Sequence, residues 1–302
     1  MKTIRTIAEL RDALAPVRRA GRTIGLVPTM GALHDGHLSL MHRARRQCEV
    51  VVVSLFVNPT QFNEATDLAS YPRDEATDSQ LAADTGADYL FAPDATEIYP
   101  DGFATTVTVE TLTDRLEGEQ RGRSHFDGVT TVVAKLLHIV GPDRAYFGQK
   151  DAQQAAVIRR MVRDLDIPVE LVVCPTVREP DGLAMSSRNA HLSPTERERA
   201  GALYRSLRAA ERAIEEGERD AAAVVAAAQG ELREVDPDYF ELLDPESFAP
   251  VRGRIDADVL AVVAARVGAT RLIDNHTIAV PTTADAVGSA EPEEALACSA
   301  RC

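Results

Sequence analysis

The feature that most restricts how this chain can fold is a nearly continuous apolar run from Val50 to Val57, in which Ser54 is the only polar residue. A strand with apolar side chains on both faces has to be covered on both sides, as in the parallel sheets of α/β proteins. Further apolar runs predict strands at 23–28, 87–92, 144–147 and 169–174, with helical patterns between them at 37–47, 129–140 and 152–165. This alternation predicts an α/β domain built on one parallel sheet with helices on both faces.

The pattern changes after Arg188, which indicates a second, smaller domain. Ser193 is a good N-cap residue, and with Pro194 at the first helical position it opens a long charged helix that we predict to end near Glu216. An alanine-rich helix at 221–234 and short strands at 239–243, 259–266 and 271–274 follow. We therefore expect an α/β domain at residues 1–184 and a small α+β domain at 185–283. Residues 284–302 lack an apolar period and are predicted to form a disordered tail.

Composition and charge exclude several classes of protein. The chain has 302 residues, enough for about two domains, and no apolar run of about 18 residues that could span a membrane. Its first residues predict a short strand and a helix rather than a secretory signal, so we expect a cytoplasmic protein. The net charge of −14 would repel nucleic acid. The cysteines, Cys48, Cys174, Cys298 and Cys302, lack the spacing of a zinc site, and we expect the first two to pack as small apolar residues.

The strongest local motif, PTMGALHDGH, runs from Pro28 to His37 between the first predicted strand and the helix that follows it. Open α/β sheets bind ligands at this edge. Glycine lets the backbone approach a phosphate, and a helix N-terminus offers free N–H groups. His34 and His37 can donate hydrogen bonds to nucleotide phosphates and can carry charge near neutral pH. The alternative, a pair of surface histidines, is disfavoured by the strand–loop–helix context.

Three weaker motifs carry candidate binding residues. Asn58 and Gln61 follow the Val50–Val57 run and suit a substrate with hydroxyl and carboxylate groups, although Asn-Pro is also an ordinary turn. Lys150, in the segment FGQKDAQQ, can act as a point charge on phosphate. A solvated loop lysine is the alternative there, but lysine occurs at only two other positions, Lys2 and Lys135. The segment Met185–Asn189 offers two hydroxyls and an arginine for pyrophosphate, and alone it would be interpreted as a polar linker.

In this order, the four motifs resemble the pantothenate synthetase (pantoate–β-alanine ligase) family, which shares the His-x-Gly-His motif with nucleotidyl-transferring α/β enzymes. Further matching segments are Tyr71–Arg73, Tyr99–Gly102, His125–Gly128 and Pro175–Glu179. The resemblance implies a Rossmann-like, doubly wound N-terminal domain, a small α+β lid domain and a homodimer. It also implies an ATP-dependent condensation of (R)-pantoate with β-alanine through pantoyl-adenylate, giving pantothenate, AMP and pyrophosphate. Mg²⁺ would accompany ATP, and no tightly bound organic cofactor is implied.

The resemblance also implies roles for individual residues. We expect His34, His37 and Lys150 to be catalytic, with His37 of the general-acid type. Gln61 would bind pantoate and β-alanine, Gln154 would bind pantoate, and Asn58 belongs to the same substrate site. The implied ATP site comprises Met30, Gly31, Ala32, Leu33, His34, Asp35, Gly36, His37, Gly148, Gln149, Lys150, Asp151, Val177, Met185, Ser186, Ser187 and Arg188. No residue is assigned to the metal ion.

The chain departs from the family pattern at two places. Gln149 stands where the family often has Glu, and we expect little effect because Lys150 and Asp151 remain. The segment from Leu116 to His125 is one residue longer than the common pattern, so the family's active-site arginine corresponds to either Arg121 or Arg123. Two other functions remain open. A related nucleotidyltransferase acting on a small phosphate ester would retain AMP in its product, and a catalytically inactive nucleotide-binding regulator would show no pyrophosphate exchange.

Overall fold

The structure, a computed structural model, describes residues 1–62, 68, 71 and 73–280. The predicted disordered tail at 284–302, with Cys298 and Cys302, lies outside these residues. The strands are β1 (Lys2–Ile4), β2 (Ile24–Thr29), β3 (Val50–Leu55), β4 (Tyr89–Phe91), β5 (Arg144–Gly148), β6 (Glu170–Cys174), β7 (Asp236–Leu243), β8 (Val259–Val267) and β9 (Thr270–Ile278). The α-helices are α1 (Ile7–Arg19), α2 (Asp35–Gln47), α3 (Glu75–Asp84), α4 (Ala95–Ile98), α5 (Glu117–Arg121), α6 (Arg123–Val140), α7 (Ala152–Asp164), α8 (Pro194–Glu215) and α9 (Ala221–Gln229).

The first six strands form one parallel sheet in the order β1-β4-β3-β2-β5-β6. The chain builds the sheet outward from β2 through β3 and then returns to the other side of β2 with β5, so the order reverses between these two strands. In open α/β sheets the ligand lies in the crevice at the carboxyl ends of such a pair. The Rossmann-like, doubly wound fold is thereby confirmed, and its topology indicates where a ligand would bind before any side chain is considered.

The two-sided burial that the Val50–Val57 run predicts is present in β3. Val50 and Val52 pack into the core beneath α1, α6 and α7, whereas Val51 and Val53 pack on the opposite face against α2 and α3. All four valines are at most 3% exposed. Cys48 and Cys174 are free thiols buried in the second of these cores, as expected.

The remaining strands form a separate antiparallel sheet in the order β7-β8-β9, with a core that it shares with α8 and α9. This confirms the small α+β domain. Strand β9 is longer than the sequence pattern predicts, because polar residues after Asp274 end the apolar pattern while the hydrogen-bonded register with β8 continues to Ile278. Helix α6 likewise begins at Arg123, ahead of the predicted start at Val129. In the part of the chain that the structure describes, no helix is long and apolar enough to cross a membrane.

Candidate active site

A cavity of about 300 Å³ opens at the carboxyl ends of β2 and β5, and both domains line it. The predicted residues in its wall are Met30, His34, Gly36, His37, Asn58, Gln61, Gly148, Lys150, Asp151, Gln154, Val177, Met185, Ser186, Ser187 and Arg188. Three others, Ala32, Leu33 and Asp35, line a depression beside it, and Gly31 and Gln149 line neither. Four motifs that are far apart in the sequence therefore meet at one place.

The two histidines at the start of α2 cap this helix, and the caps determine their tautomers. Nδ1 of His34 accepts a hydrogen bond from the Gly36 N–H at 3.2 Å, and Nδ1 of His37 accepts one from the His34 N–H at 3.4 Å. A neutral imidazole whose Nδ1 accepts carries its proton on Nε2. Both rings therefore retain an Nε2–H donor, and their centroids lie 4.2 Å apart. Gly36 makes room for this arrangement, because a Cβ at this residue would lie 2.8 Å from the His34 ring and would displace it.

Burial changes the expected charge of these histidines. It is the main cause that lowers the pKa of His37 to about 3, and the neighbouring His34 adds to the effect. Burial and then the charge of Lys150 lower the pKa of His34. The sequence suggested histidines able to carry charge near neutral pH. In the free protein, both are instead neutral hydrogen-bond donors at pH 7.

Asp78 holds the loop that precedes these histidines, although no motif contains it. Its side chain is 3% exposed on α3, and its two carboxylate oxygens accept hydrogen bonds from the N–H groups of Ala32 at 3.0 Å and Leu33 at 2.8 Å. Ala32 has a φ of 51°, a left-handed conformation that costs energy in a non-glycine residue. A Cβ on Gly31 would lie 2.8 Å from Asp78 Oδ2, so Gly31 makes room for this carboxylate. Nothing local in the sequence around Asp78 indicates this contact.

The amide of Asn58 is fully engaged inside the protein. Its Nδ2 donates to Gln61 Oε1 at 3.0 Å and to the Gly128 carbonyl at 3.1 Å, while its Oδ1 accepts from the Tyr99 hydroxyl at 2.8 Å. These bonds orient Gln61 with its Nε2 donor toward the cavity, where it lies 3.0 Å from Met30 Sδ. The two matching segments around Tyr99 and Gly128 are thus explained as support for Gln61.

The neighbouring glutamines of α7 have different surroundings. Gln153 is 7% exposed, and its side chain holds the start of α5 and the segment before it. Its Oε1 accepts a hydrogen bond from the Glu117 N–H at 3.0 Å, and its Nε2 donates one to the Leu112 carbonyl at 2.7 Å. Gln154 is half-buried, and both glutamines line the cavity. The structure therefore separates a glutamine committed to the fold from one that can meet a ligand.

The structure distinguishes the two candidate arginines. Arg121 lines the cavity and donates from Nε to Glu117 at 2.8 Å, whereas the Arg123 side chain is 53% exposed and pairs with Asp114 at 3.3 Å on the surface. Both terminal nitrogens of Arg271 also donate hydrogen bonds to the Glu117 carboxylate, at 2.8 and 2.7 Å. Burial alone would raise the pKa of Glu117, but the bonds and charges of Arg271 and Arg121 lower it to about 2. Of the two candidates, Arg121 is therefore the one that lines the cavity, held by a carboxylate that stays ionised.

Lys150 and the Met185–Arg188 segment complete the wall. Lys150 lies in a 3₁₀ turn, Gln149–Asp151, directly after β5, and its side chain is 19% exposed. The Met185 N–H donates to the Val177 carbonyl at 2.9 Å, which joins two segments that the sequence showed only separately. Ser186 caps the next 3₁₀ turn by accepting from the Arg188 N–H at 3.3 Å. Hydroxyl, guanidinium and ammonium groups thus converge on one cavity, as phosphate binding requires.

Comparison with known proteins agrees with this geometry over nearly the whole chain. A sequence model described as Pantoate-beta-alanine ligase matches residues 2–277. The pantothenate synthetase of Moorella thermoacetica is 52% identical over 283 residues, which cover 93% of this chain and 99% of the relative. Pantothenate synthetase 1 of Bradyrhizobium diazoefficiens is 54% identical over 276 residues, covering 91% and 97% respectively.

Solved structures match as well. The crystal structure of pantothenate synthetase from Thermus thermophilus superposes with a TM-score of 0.86 at 49% identity, covering 91% of this chain and 99% of the other. The pantoate-β-alanine ligase of Francisella tularensis, complexed with β-γ ATP and β-alanine, has a TM-score of 0.75 at 35% identity, with coverages of 91% and 97%.

Proposed function

The chain belongs to the pantoate–β-alanine ligase family, and from this premise we propose how its cavity joins pantoate to β-alanine with the use of ATP. The observation that carries the proposal is the meeting, in one cavity, of phosphate-binding donors with amide and apolar side chains. His34, His37, Lys150, Gln61 and Gln154 all line it. A nucleotidyltransferase acting on a phosphate ester would have no need of the amide and apolar groups.

In the first step, the carboxylate of pantoate attacks the α-phosphorus of ATP, and the bond to pyrophosphate breaks. A carboxylate is already a nucleophile at neutral pH, so this step depends on positioning and on stabilising negative charge rather than on a general base. Gln61 and Gln154 would hold the hydroxyl and carboxylate groups of pantoate. Its two methyl groups fit the apolar wall that α6 supplies, which consists of Val129, Val132, Val133 and Leu136.

Negative charge that grows on the departing pyrophosphate would be met by Lys150, by the Nε2–H groups of His34 and His37, and by Arg188. The neutral state of His37 favours donation of a hydrogen bond over the transfer of a proton. Ser186, Ser187 and the backbone around Val177 would hold the rest of the nucleotide. In the second step, the amine of β-alanine attacks the acyl carbon of pantoyl-adenylate, which releases AMP and gives pantothenate.

Mg²⁺ remains part of the proposal. In the described ranges, no group of three or more His, Cys, Asp or Glu side chains could hold a metal ion. Mg²⁺ would arrive on the triphosphate, where it would neutralise phosphate charge. A cytoplasmic location stays a prediction from the sequence.

We expect exchange of labelled pyrophosphate into ATP to require pantoate and Mg²⁺ but not β-alanine. The reason is that the residues proposed to hold pantoate and those proposed to bind the phosphates of ATP suffice to form pantoyl-adenylate and to reverse its formation. Radiolabelled pyrophosphate with the purified chain, with each component omitted in turn, makes the measurement. Exchange that starts only when β-alanine is added would contradict the stepwise reaction, and a product that retains AMP would favour the nucleotidyltransferase instead.

We also propose that the chain forms a homodimer, and the largely exposed segment at residues 103–108, which lies outside the helices and strands, supports this. Among the described residues, the backbone N–H groups of Ala104, Thr105, Thr106 and Thr108 make no hydrogen bond. Free backbone groups on a segment rich in β-branched residues can pair with a second copy. Thr106→Pro should shift the mass measured by light scattering toward the monomer, while Thr106→Ala, which keeps the N–H, should not. An unchanged dimer in the proline variant would place the interface elsewhere.

A further inference from the structure

The side chain of Asn275, on β9 of the small domain, makes all of its hydrogen bonds with Gln149 and Lys150 of the large domain. Its Nδ2 donates to the carbonyls of Gln149 and Lys150, both at 2.9 Å, and its Oδ1 accepts from Gln149 Nε2, also at 2.9 Å. Asn275 is 4% exposed. The orientation of the amide is unambiguous, because a flipped amide would place its oxygen against two carbonyl oxygens.

These bonds have a specific effect on Lys150. The carbonyl of Gln149 belongs to the peptide group before the Lys150 Cα, and the carbonyl of Lys150 belongs to the peptide group after it. One amide therefore holds both peptide planes on which the direction of the Lys150 side chain depends. Both hydrogens of Nδ2 are used in this way, so Asn275 has no donor left for a ligand even though it lies at the cavity wall.

The neighbouring residue on β9 strengthens the same connection. Asp274 is 3% exposed and forms a bidentate ion pair with Arg178, at 2.6 and 3.1 Å. Arg178 directly follows Val177, a residue of the proposed nucleotide site. Two consecutive residues of the small domain thus hold two separate segments of the large domain, both of which line the cavity.

We infer that Asn275 is a positioning residue through which the small domain sets the place of the Lys150 ammonium group. The inference rests on the proposed role of Lys150 in binding ATP and forming the adenylate. It assigns to β9 a part in the phosphate site that its position at the far end of the sequence does not suggest. It also assigns a role to the side chain of Gln149, whose Nε2 donates the hydrogen bond that Asn275 Oδ1 accepts.

The test is a double-mutant cycle between Asn275 and Lys150, read by single-turnover formation of pantoyl-adenylate. Asn275→Ala should slow this step by about tenfold to 100-fold, since a displacement of about 1 Å can cost about 100-fold. Asn275→Asp keeps the acceptor and loses both donors, so it should slow the step at least as much. In a Lys150→Ala background, Asn275→Ala should add no more than about twofold, because two residues that act as one unit are not additive.

His276→Ala is the matched control. His276 is the next residue of β9, and its Nε2 lies 3.0 Å from Glu211 of α8, so its loss affects a contact within the small domain only. It should leave adenylate formation near the wild-type rate. Additive effects of Asn275→Ala and Lys150→Ala, or a wild-type rate in folded Asn275→Ala and Asn275→Asp, would overturn the inference.

Calorimetric binding of ATP alone separates this inference from the proposed function. Asn275→Ala should weaken ATP binding when Lys150 is present and should have little effect on ATP binding in the Lys150→Ala background. If the wild-type chain binds ATP with this coupling but shows no pantoate-dependent exchange, the positioning role stands and the proposed reaction fails. If pantoate-dependent exchange is normal and the coupling is absent, the proposed reaction stands and the positioning role of Asn275 fails.

Discussion

Replacing Lys150 by alanine is expected to slow formation of pantoyl-adenylate by about 100-fold, the typical cost of one lost charge-stabilising group, with a smaller loss of ATP affinity. The chain carries a net charge of −14, so attraction of ATP depends on local cations. Lys150 lies 4.0 Å from Asp151 Oδ1, too far for a hydrogen bond, and its ammonium group donates no hydrogen bond to any residue that the structure describes, so it can meet phosphate. The loss should be larger in the chemical step because charge grows on the bridging oxygen as pyrophosphate departs.

Rapid-quench measurement of the adenylate at saturating ATP makes this test. Lys150→Arg should recover only part of the rate, because a planar guanidinium does not replace a compact ammonium group. Lys2→Ala, which removes an exposed lysine of β1, is the control and should match the wild type. An adenylate rate in Lys150→Ala equal to that of the wild type would remove Lys150 from the transition state.

His37→Ala should lower the rate of adenylate formation by about 100-fold or more, with His34→Ala close to it. Each change removes an Nε2–H donor from the start of α2. His37→Gln keeps an N–H donor at a similar distance from the backbone and should recover part of the activity, which a proton-transferring acid would not allow. His42→Ala, on the exposed side of the same helix, is the matched control.

The pKa of His37 also predicts how the reaction depends on pH. Because burial lowers this pKa to about 3, the imidazole stays neutral as the pH falls from about 8 to about 5, and no loss of rate in that range should be due to its protonation. The pH dependence of folding stability that follows from this pKa has the opposite sign to that of a salt-bridged histidine. The unfolded chain binds the proton near its ordinary pKa of 6.5, so stability falls as the pH drops from about 6.5 toward 3.

Rate profiles of the wild type and His37→Gln between about pH 5 and pH 8 test this. The two profiles should be parallel. An inflection near pH 6.5 that is present in the wild type and lost in His37→Gln would show that the charged imidazole takes part. Urea unfolding across the same range checks that both proteins remain folded and that the wild type loses the stability expected of a buried neutral histidine.

Short-range patterns in the sequence were sufficient for the class of fold and for the main motifs. The alternation of apolar strands with helices predicted a parallel sheet, since two-sided burial of β3 demands helices on both faces. The carboxyl ends of neighbouring parallel strands meet at one edge, and residues that follow β2, β3 and β5 line the same cavity there. These inferences depend on residues close together in the chain.

Only the tertiary structure determines the contacts between residues far apart in the chain and the burial that follows from them. Arg121 lines the cavity whereas Arg123 pairs with Asp114 on the surface, a difference that the sequence does not show because both arginines are equally polar. Asp78 holds the loop at Ala32, and Asn275 holds the turn at Lys150, through long-range hydrogen bonds to backbone groups that no local pattern reveals. The neutral state of His37 has the same origin, since the free energy of a charged ring depends on how far the folded protein removes it from water.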